Sequence, residues 1–511
     1  MKKEGFWVEQ EKNIVIYPTG KMNVIETVER NDGLALVFQD EKGKREELEY
    51  SDLKEQVNQY CNYFISLGIK ENQRIFVFLP KVKEFYLAFL AIIKIGAIVI
   101  PLFEAFQSDG LELRLNRGHA DVIISNSDLL KRLTRKNIKI INIDKSDFKD
   151  KIKKQDNEFE CVLKNKEDTC MMIFTSSTAG TPVAGIQISH YALVQQYYTG
   201  KLVLNLDKET KYWCTAHPGW VTGSVYGILA PLAIGATVYV LESHFDAKEW
   251  LKFMKDNQIS IIYTAPTALR LFRNDVKKED FKYVKTICSV GEALTSSVFD
   301  FYKDFGVTIR DTYWQTETGA MMIANLDGKH GTMGKAIPGI SAKIKFGMIC
   351  FDKPWPGMMT GIYKHDKMYK SYFSGKLFKT NDLATQDKQG YFHFIGRHDD
   401  IIKTSGERVS PLEIENILMK HKAVKEVGVI GKGDEMKGQI IKAFIVLNSQ
   451  FVSTDEKKNQ QLKDELGFFV KQNYAGHAYP KEIDFIKELP KTNSGKIIRM
   501  KLRELEEKKS N

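Results

Sequence analysis

The sequence predicts an α/β protein: a large N-terminal domain of packed, mostly parallel sheets with flanking helices, followed by a small α+β C-terminal domain. Three observations carry this. At 511 residues the chain exceeds what one hydrophobic core usually serves. Continuous Val/Ile-rich runs alternate with amphipathic stretches, as in sheets covered on both faces. The cluster Gly396-Arg397-His398-Asp399-Asp400 then separates this pattern from a compact α/β pattern of its own. The domains are therefore expected at 1–396 and 397–511.

Buried strands are expected at Arg74–Leu79, Ala97–Leu102, Val122–Ser125, Thr169–Thr175, Ala236–Leu241, Ile259–Thr264 and Thr286–Val290. Helices are expected at Glu47–Leu67, Phe245–Asn257 and Thr295–Asp304. Asp387-Lys388-Gln389-Gly390 reads as a hairpin turn before Tyr391–Ile395. Beyond it come helix Pro411–Lys420, strands Val424–Ile430 and Ile440–Leu447, helix Asp455–Gln472 and strand Glu482–Phe485. Lys501–Asn511 is charged and reads as a frayed or solvated helix. Phe85–Phe103 is long and apolar, but Lys94 interrupts it and Gly96 and Pro101 break it, so a buried helix followed by a strand is expected rather than a membrane span.

Composition narrows the class. With 43% hydrophobic and 27% charged residues this is an ordinary globular chain, not a disordered or membrane-embedded one. The net charge of +10 comes from dispersed lysines largely matched by acids, which argues for a solvated surface and against a nucleic-acid groove. A mild positive field also suits phosphate-bearing ligands. The six cysteines form no C-x-x-C and no zinc spacing with histidine, so buried reduced thiols and a cytoplasmic location are expected. Met1–Ile16 has no apolar signal core.

Several segments carry chemistry. Thr175-Ser176-Ser177-Thr178-Ala179-Gly180-Thr181-Pro182 follows an expected strand, and small hydroxyl residues and glycines there let backbone N–H groups surround phosphate oxygens. His217-Pro218-Gly219-Trp220-Val221-Thr222-Gly223 would alone pass for core. Ser289-Val290-Gly291-Glu292-Ala293, Asp311-Thr312-Tyr313-Trp314-Gln315-Thr316-Glu317-Thr318-Gly319 and Thr380-Asn381-Asp382 follow in order. Near the end stands Pro490-Lys491-Thr492-Asn493-Ser494-Gly495-Lys496.

In this order the segments resemble the adenylate-forming enzymes: acyl- and aryl-CoA synthetases, peptide-synthetase adenylation domains and firefly luciferase. The Trp-Gln-Thr-Glu-Thr-Gly version is most similar to that of acetyl-CoA synthetases. The resemblance implies that Thr175, Ser176, Ser177, Thr178 and Gly180 form the phosphate loop, although Ser177 replaces a motif glycine. Ala184 stands where the family has a phosphate-binding lysine, with Val183 inserted. It implies that Gly291, Glu292, Ala293, Asp311, Thr312, Tyr313 and Gln315 surround the nucleotide and that Thr316 lies near the α-phosphate. Glu317 would ligate Mg²⁺, Asp382 and Arg397 would hold ribose, and Arg408 would contact phosphate or assist closure. Asn381 replaces the usual glycine, and Asn is the next-best residue for positive φ.

Trp220, Val221, Thr222, Gly223 and Val290 would wall the acyl pocket, with Trp314 as its floor, where relatives using longer acids carry glycine. Asp399 would be the hinge of a small mobile lid carrying Lys496, whose charge would offset that developing at the α-phosphate. The implied activity is a short-chain, acetate-type acid–CoA ligation through an acyl-adenylate. Mg²⁺ is the implied cofactor, ATP and CoA are co-substrates, neither nucleic acid nor membrane is a partner, and acetylation at Lys496 would switch the enzyme off. Two alternatives stand beside it: an adenylation enzyme loading a carrier protein, and a weakly active nucleotide-binding relative that lacks the loop lysine.

Overall fold

The computed structural model describes residues 3–510 apart from 176–183, 244, 274–275, 293, 295, 405–406, 435–437, 474–478 and 492–496, with the backbone alone at 3, 4, 296, 297, 399, 403, 407, 408 and 510. The chain is mixed α/β, with a large N-terminal part and a smaller C-terminal one. It divides into two compact units: 3–175, 184–341 and Phe351–Phe378 in the larger, Ala342–Cys350 and 379–510 in the smaller.

Among the described residues the larger unit holds two large sheets. In one, Thr169–Phe174, Ile98–Leu102, Arg74–Phe78, Val122–Ser125 and Lys139–Asn142 run parallel, and Gly185–Ser189 and Gly361–Ile362 close one edge antiparallel. In the other, Thr308–Tyr313, Thr286–Ser289, Ile261–Thr264, Lys211–Cys214, Thr237–Leu241 and Leu34–Gln39 are parallel, with short antiparallel strands at both ends. The central parallel strands, Thr237–Leu241, Ile261–Thr264 and Thr286–Ser289 among them, are buried on both faces, as Val/Ile-rich runs between helices require. Leu34–Gln39, Lys211–Cys214 and Thr308–Tyr313 add to the strands expected from the sequence.

The helix expected from Glu47 begins at Tyr50 instead. Arg45–Glu49 pairs antiparallel with Leu34–Gln39 and buries Leu48, which draws Glu47 into the sheet edge. Glu49 and Asp52 then close a reciprocal capping box. Phe85–Phe103 is the helix Lys83–Lys94 followed by the strand Ile98–Leu102. Lys94 is fully buried, and its ammonium donates to Glu29 and Asn58, so its charge is compensated inside the fold. Pro101 is tolerated because the neighbouring strand Thr169–Phe174 pairs with this one only at Val99↔Met171. Among the described residues no helix is long and apolar enough to cross a membrane.

In the smaller unit Leu377–Gln386 and Phe392–Arg397 form a hairpin closed at Asp387–Tyr391, with Gly390 at φ +88°. The strand Phe392–Arg397 spans the position 396/397, and in the compact units the last crossing of the chain falls between Phe378 and Lys379. A second sheet joins Ile402–Thr404, Glu407–Val409, Val424–Asp434, Gly438–Leu447 and the parallel strand Glu482–Phe485. Helices Pro411–Leu418, Glu456–Asn473 and Arg499–Ser510 accompany it.

The last of these is anchored rather than frayed, because Leu502 is fully buried and Glu506 enters an ionic cluster. There Lys442, 4% exposed, donates to Glu506, to Asp484 at 2.9 Å and to Glu482 at 3.1 Å. Burial opposes the charge of Lys442, yet these bonds hold its pKa above the usual lysine range. Lys442→Met leaves the carboxylates crowded together without their central cation. It is expected to cost roughly 3–5 kcal/mol, read as a lower urea midpoint.

Candidate active site

Residues 217–223 are locked by backbone against backbone. A Cβ at Gly219 would come within 2.3 Å of Phe103 N, and one at Gly223 within 2.3 Å of the His217 carbonyl oxygen. His217 Nδ1 accepts from Gly219 N at 2.8 Å, which leaves Nε2 facing Glu104 at 3.9 Å. Trp220 then caps the helix Val221–Ser224 and packs against Phe103 and Phe106, with centroids 5.5 and 5.9 Å away. Only glycine fits at 219 and 223, and so Trp220, Val221 and Thr222, the residues expected to wall the acyl pocket, hold a set direction.

That helix continues through a π-turn, Val225–Leu229, which carries Tyr226 to Trp314 at 5.1 Å, edge to face. Trp314 is 9% exposed, and its Nε1 donates to the Tyr263 hydroxyl at 3.0 Å. Tyr263 shares a second bond of 2.9 Å with Thr312 Oγ1, while the Tyr226 hydroxyl accepts from Met321 N at 2.9 Å. The indole is thus pinned at its edge and its N–H. Val290 is as buried as Trp314, at the end of the strand Thr286–Ser289.

Gly291 adopts φ +98°, where a side chain would be strained. The Glu292 carboxylate is engaged within the fold: Thr267 N donates to it at 2.8 Å, and Arg270 Nη2 reaches both oxygens at 3.1 Å. Asp311, Thr312 and Tyr313 end the strand Thr308–Tyr313, and Thr312 Oγ1 donates to the Ser289 carbonyl at 2.7 Å. Gln315 caps the 3-10 turn Thr316–Thr318, which presents Thr316 and Glu317. Glu317 Oε1 accepts from the Tyr372 hydroxyl at 2.9 Å. Tyr372 lies 55 residues downstream of Glu317, and no local sequence signal links the two.

Burial pushes the Asp311 carboxyl up to about 7, partly offset by the hydrogen bond that Thr312 N donates to it at 3.1 Å. Its ordinary value is 3.8, so between about pH 4 and 7 the folded state holds a proton that the unfolded state has released. Stability from this group is therefore present below pH 4 and lost as pH rises through 7. Asp311→Asn is expected to flatten that fall, seen as a melting-temperature gain over wild type that grows from pH 4 to pH 8.

Thr175 and Ala184 flank the expected phosphate loop. Thr175 N donates to the Ala184 carbonyl at 3.0 Å, Ala184 N to Thr175 Oγ1 at 3.3 Å, and Ala184 is fully buried. Ser176, Ser177, Thr178 and Gly180 lie outside the described residues, as do Ala293 and Lys496. In the smaller unit Asp382 and Arg397 are directly opposed across the hairpin. Asn381 has φ +60°, the conformation for which Asn is the second choice after glycine. Asp399 ends that region in a 3-10 turn and Arg408 lies on the strand Glu407–Val409; both side chains fall outside the described set.

Among the described residues no group of three or more His, Cys, Asp or Glu side chains gathers as a metal cage. Mg²⁺ does not need one, since it takes one or two carboxylates together with phosphate oxygens. Glu317, a carboxylate on the short turn Thr316–Thr318 with one oxygen bonded to Tyr372, fits that donor set.

The sequence profile of AMP-binding enzymes matches residues 26–347, and that of the AMP-binding enzyme C-terminal domain matches 413–496. The chain belongs to the AMP-binding enzyme family. Acetyl-coenzyme A synthetase of Bacillus subtilis (strain 168) is 38% identical over 97% of this chain and 93% of its own length. That of Rubrobacter xylanophilus is 32% identical over 94% and 82%. Among solved structures, a Brucella canis acyl-CoA synthetase superposes with TM-score 0.74 at 29% identity, covering 99% of this chain and 98% of that one. The anthranilate CoA ligase AuaEII, crystallised with anthranoyl-AMP, reaches 0.85 at 25% identity, covering 99% of each chain. This member of the AMP-binding enzymes is an AMP-forming acid–CoA ligase.

Proposed function

We propose that this enzyme ligates acetate to CoA with ATP, through acetyl-adenylate. The observation that carries the reading is the pinned indole of Trp314, held by Tyr226 and by the Tyr263 hydroxyl, which fills the volume a longer acyl chain would need. The acetyl-coenzyme A synthetases among the relatives support it.

In the proposed reaction Trp220, Val221, Thr222, Gly223 and Val290 enclose the methyl group and exclude water. Gly291, Glu292, Ala293, Asp311, Thr312, Tyr313 and Gln315 hold adenine. The Glu292 side chain is engaged by Thr267 and Arg270, which favours a backbone role for it. Asp382 and Arg397, already side by side, take the ribose hydroxyls by charge-assisted hydrogen bonds. Thr175, Ser176, Ser177, Thr178 and Gly180 receive the phosphates, with Thr316 at the α-phosphate. Mg²⁺, when bound by Glu317, supplies positive charge shared with the phosphate oxygens.

The substrate carboxylate attacks the α-phosphorus, the bond to the pyrophosphate oxygen breaks, and Lys496 offsets the charge that develops. The CoA thiolate then attacks the acyl carbon and AMP leaves. For the second step we propose a lid of residues 397–511 turning at Asp399, with Arg408 closing on the nucleotide. Acetylation of Lys496 removes the charge and stops the first step. A screen of C2 to C8 acids with ATP, with either CoA or a phosphopantetheinyl carrier protein as acceptor, tests the reading. Acetate with CoA is expected to be fastest, and a carrier protein as the sole acceptor would overturn it.

A further inference from the structure

The turn Thr316–Thr318 is gripped by one excursion of the chain, Trp355 to Phe378. Trp355 Nε1 donates to the Thr318 carbonyl at 3.0 Å, Met359 N to the Glu317 carbonyl at 3.1 Å, and the Tyr372 hydroxyl to Glu317 Oε1 at 2.9 Å. Backbone meets backbone here as well: a Cβ at Gly319, where φ is +65°, would stand 1.9 Å from the Gly357 carbonyl oxygen. The phenol is itself held. Its ring lies at 13° to that of Phe378 with centroids 5.6 Å apart, and buried Trp355 meets Phe378 edge-on at 5.5 Å.

A carboxylate on a short turn can rotate about its terminal bond, and a hydrogen bond to one oxygen fixes the direction of the other. We propose that Tyr372 is a positioning residue that orients the Glu317 carboxylate toward the divalent cation accompanying ATP. The inference rests on Glu317 as the metal ligand, proposed above. The excursion supports Glu317 at its own carbonyl, at that of the adjoining Thr318 and at its side chain, so the residues from Trp355 onward complete a site whose ligand lies in the Gln-Thr-Glu-Thr turn.

Tyr372→Phe removes one hydroxyl and keeps the stacked ring. With Mn²⁺ as probe and a non-hydrolysable ATP analogue, free Mn²⁺ measured by electron paramagnetic resonance is expected to show roughly tenfold weaker binding than in wild type. The Mg²⁺ concentration for half-maximal acetyl-adenylate formation rises in step, while the rate at saturating Mg²⁺ and the KM for acetate stay near wild type. Glu317→Gln is the reference and loses more. Wild-type Mn²⁺ affinity in Tyr372→Phe beside a loss in Glu317→Gln overturns the role of Tyr372 alone. Wild-type affinity in Glu317→Gln overturns the metal-ligand reading, and this inference with it.

Discussion

Replacing Trp314 by glycine is expected to move the preferred acid from acetate to chains of roughly four to eight carbons, because each methylene accommodated by a pocket is worth about 1–3 kcal/mol. The indole is pinned rather than loosely packed. Its N–H donates to Tyr263 and its ring lies nearly perpendicular to that of Tyr226, and both contacts oppose a swing aside for a longer substrate. Its removal leaves the Tyr263 hydroxyl still bonded to Thr312 Oγ1, so no polar group there is orphaned. The vacated volume costs stability, on the order of 3–5 kcal/mol for a buried tryptophan, which a ligand chain partly restores. A spectrophotometric series of acids with ATP and CoA checks this. An unchanged ranking across the series would sink Trp314 as the gatekeeper.

Lys496→Ala is expected to lower acetyl-adenylate formation by two to three orders of magnitude, roughly the effect of removing one preorganised charge-stabilising group. The same variant should still convert chemically supplied acetyl-adenylate and CoA to thioester, because the role proposed for the lysine belongs to the first step alone. The described frame on either side of this lysine argues that the variant folds. Lys491 pairs with Glu426 at 2.7 Å and forms a β-bridge with Ile497. Arg499 then reaches both oxygens of Glu415 at 2.7 Å. Pyrophosphate exchange and single-turnover thioesterification, measured separately, give the split. Equal losses in both would point to a folding defect.

These two residues show how unevenly the site could be read. Trp314 and Lys496 stand in contiguous motifs whose neighbours declare them. Tyr372 does not, although its hydroxyl touches Glu317, because the contact closes a loop of 55 residues and carries no spacing rule. Glu292 is expected among the residues around the nucleotide, and only the fold reveals that Thr267 and Arg270 engage its carboxylate.

The parallel strands were legible for a physical reason. A strand covered on both faces must be apolar at every position, so Arg74–Phe78, Ile98–Leu102 and Val122–Ser125 announce themselves. Arg45–Glu49 did not, since an edge strand with one buried side chain looks, residue by residue, like the first turn of a charged helix. The C-terminal segment looked solvated because its charges outnumber its apolar residues. Its anchoring depends on Lys442 and Asp484, brought beside Glu506 and Lys509 by the sheet rather than by the chain. Local chemistry and periodicity thus determined the fold class and the order of the motifs. The clamp on Glu317, the edge strand and the buried ionic cluster were decided by tertiary structure, because each depends on residues whose proximity no spacing along the chain encodes.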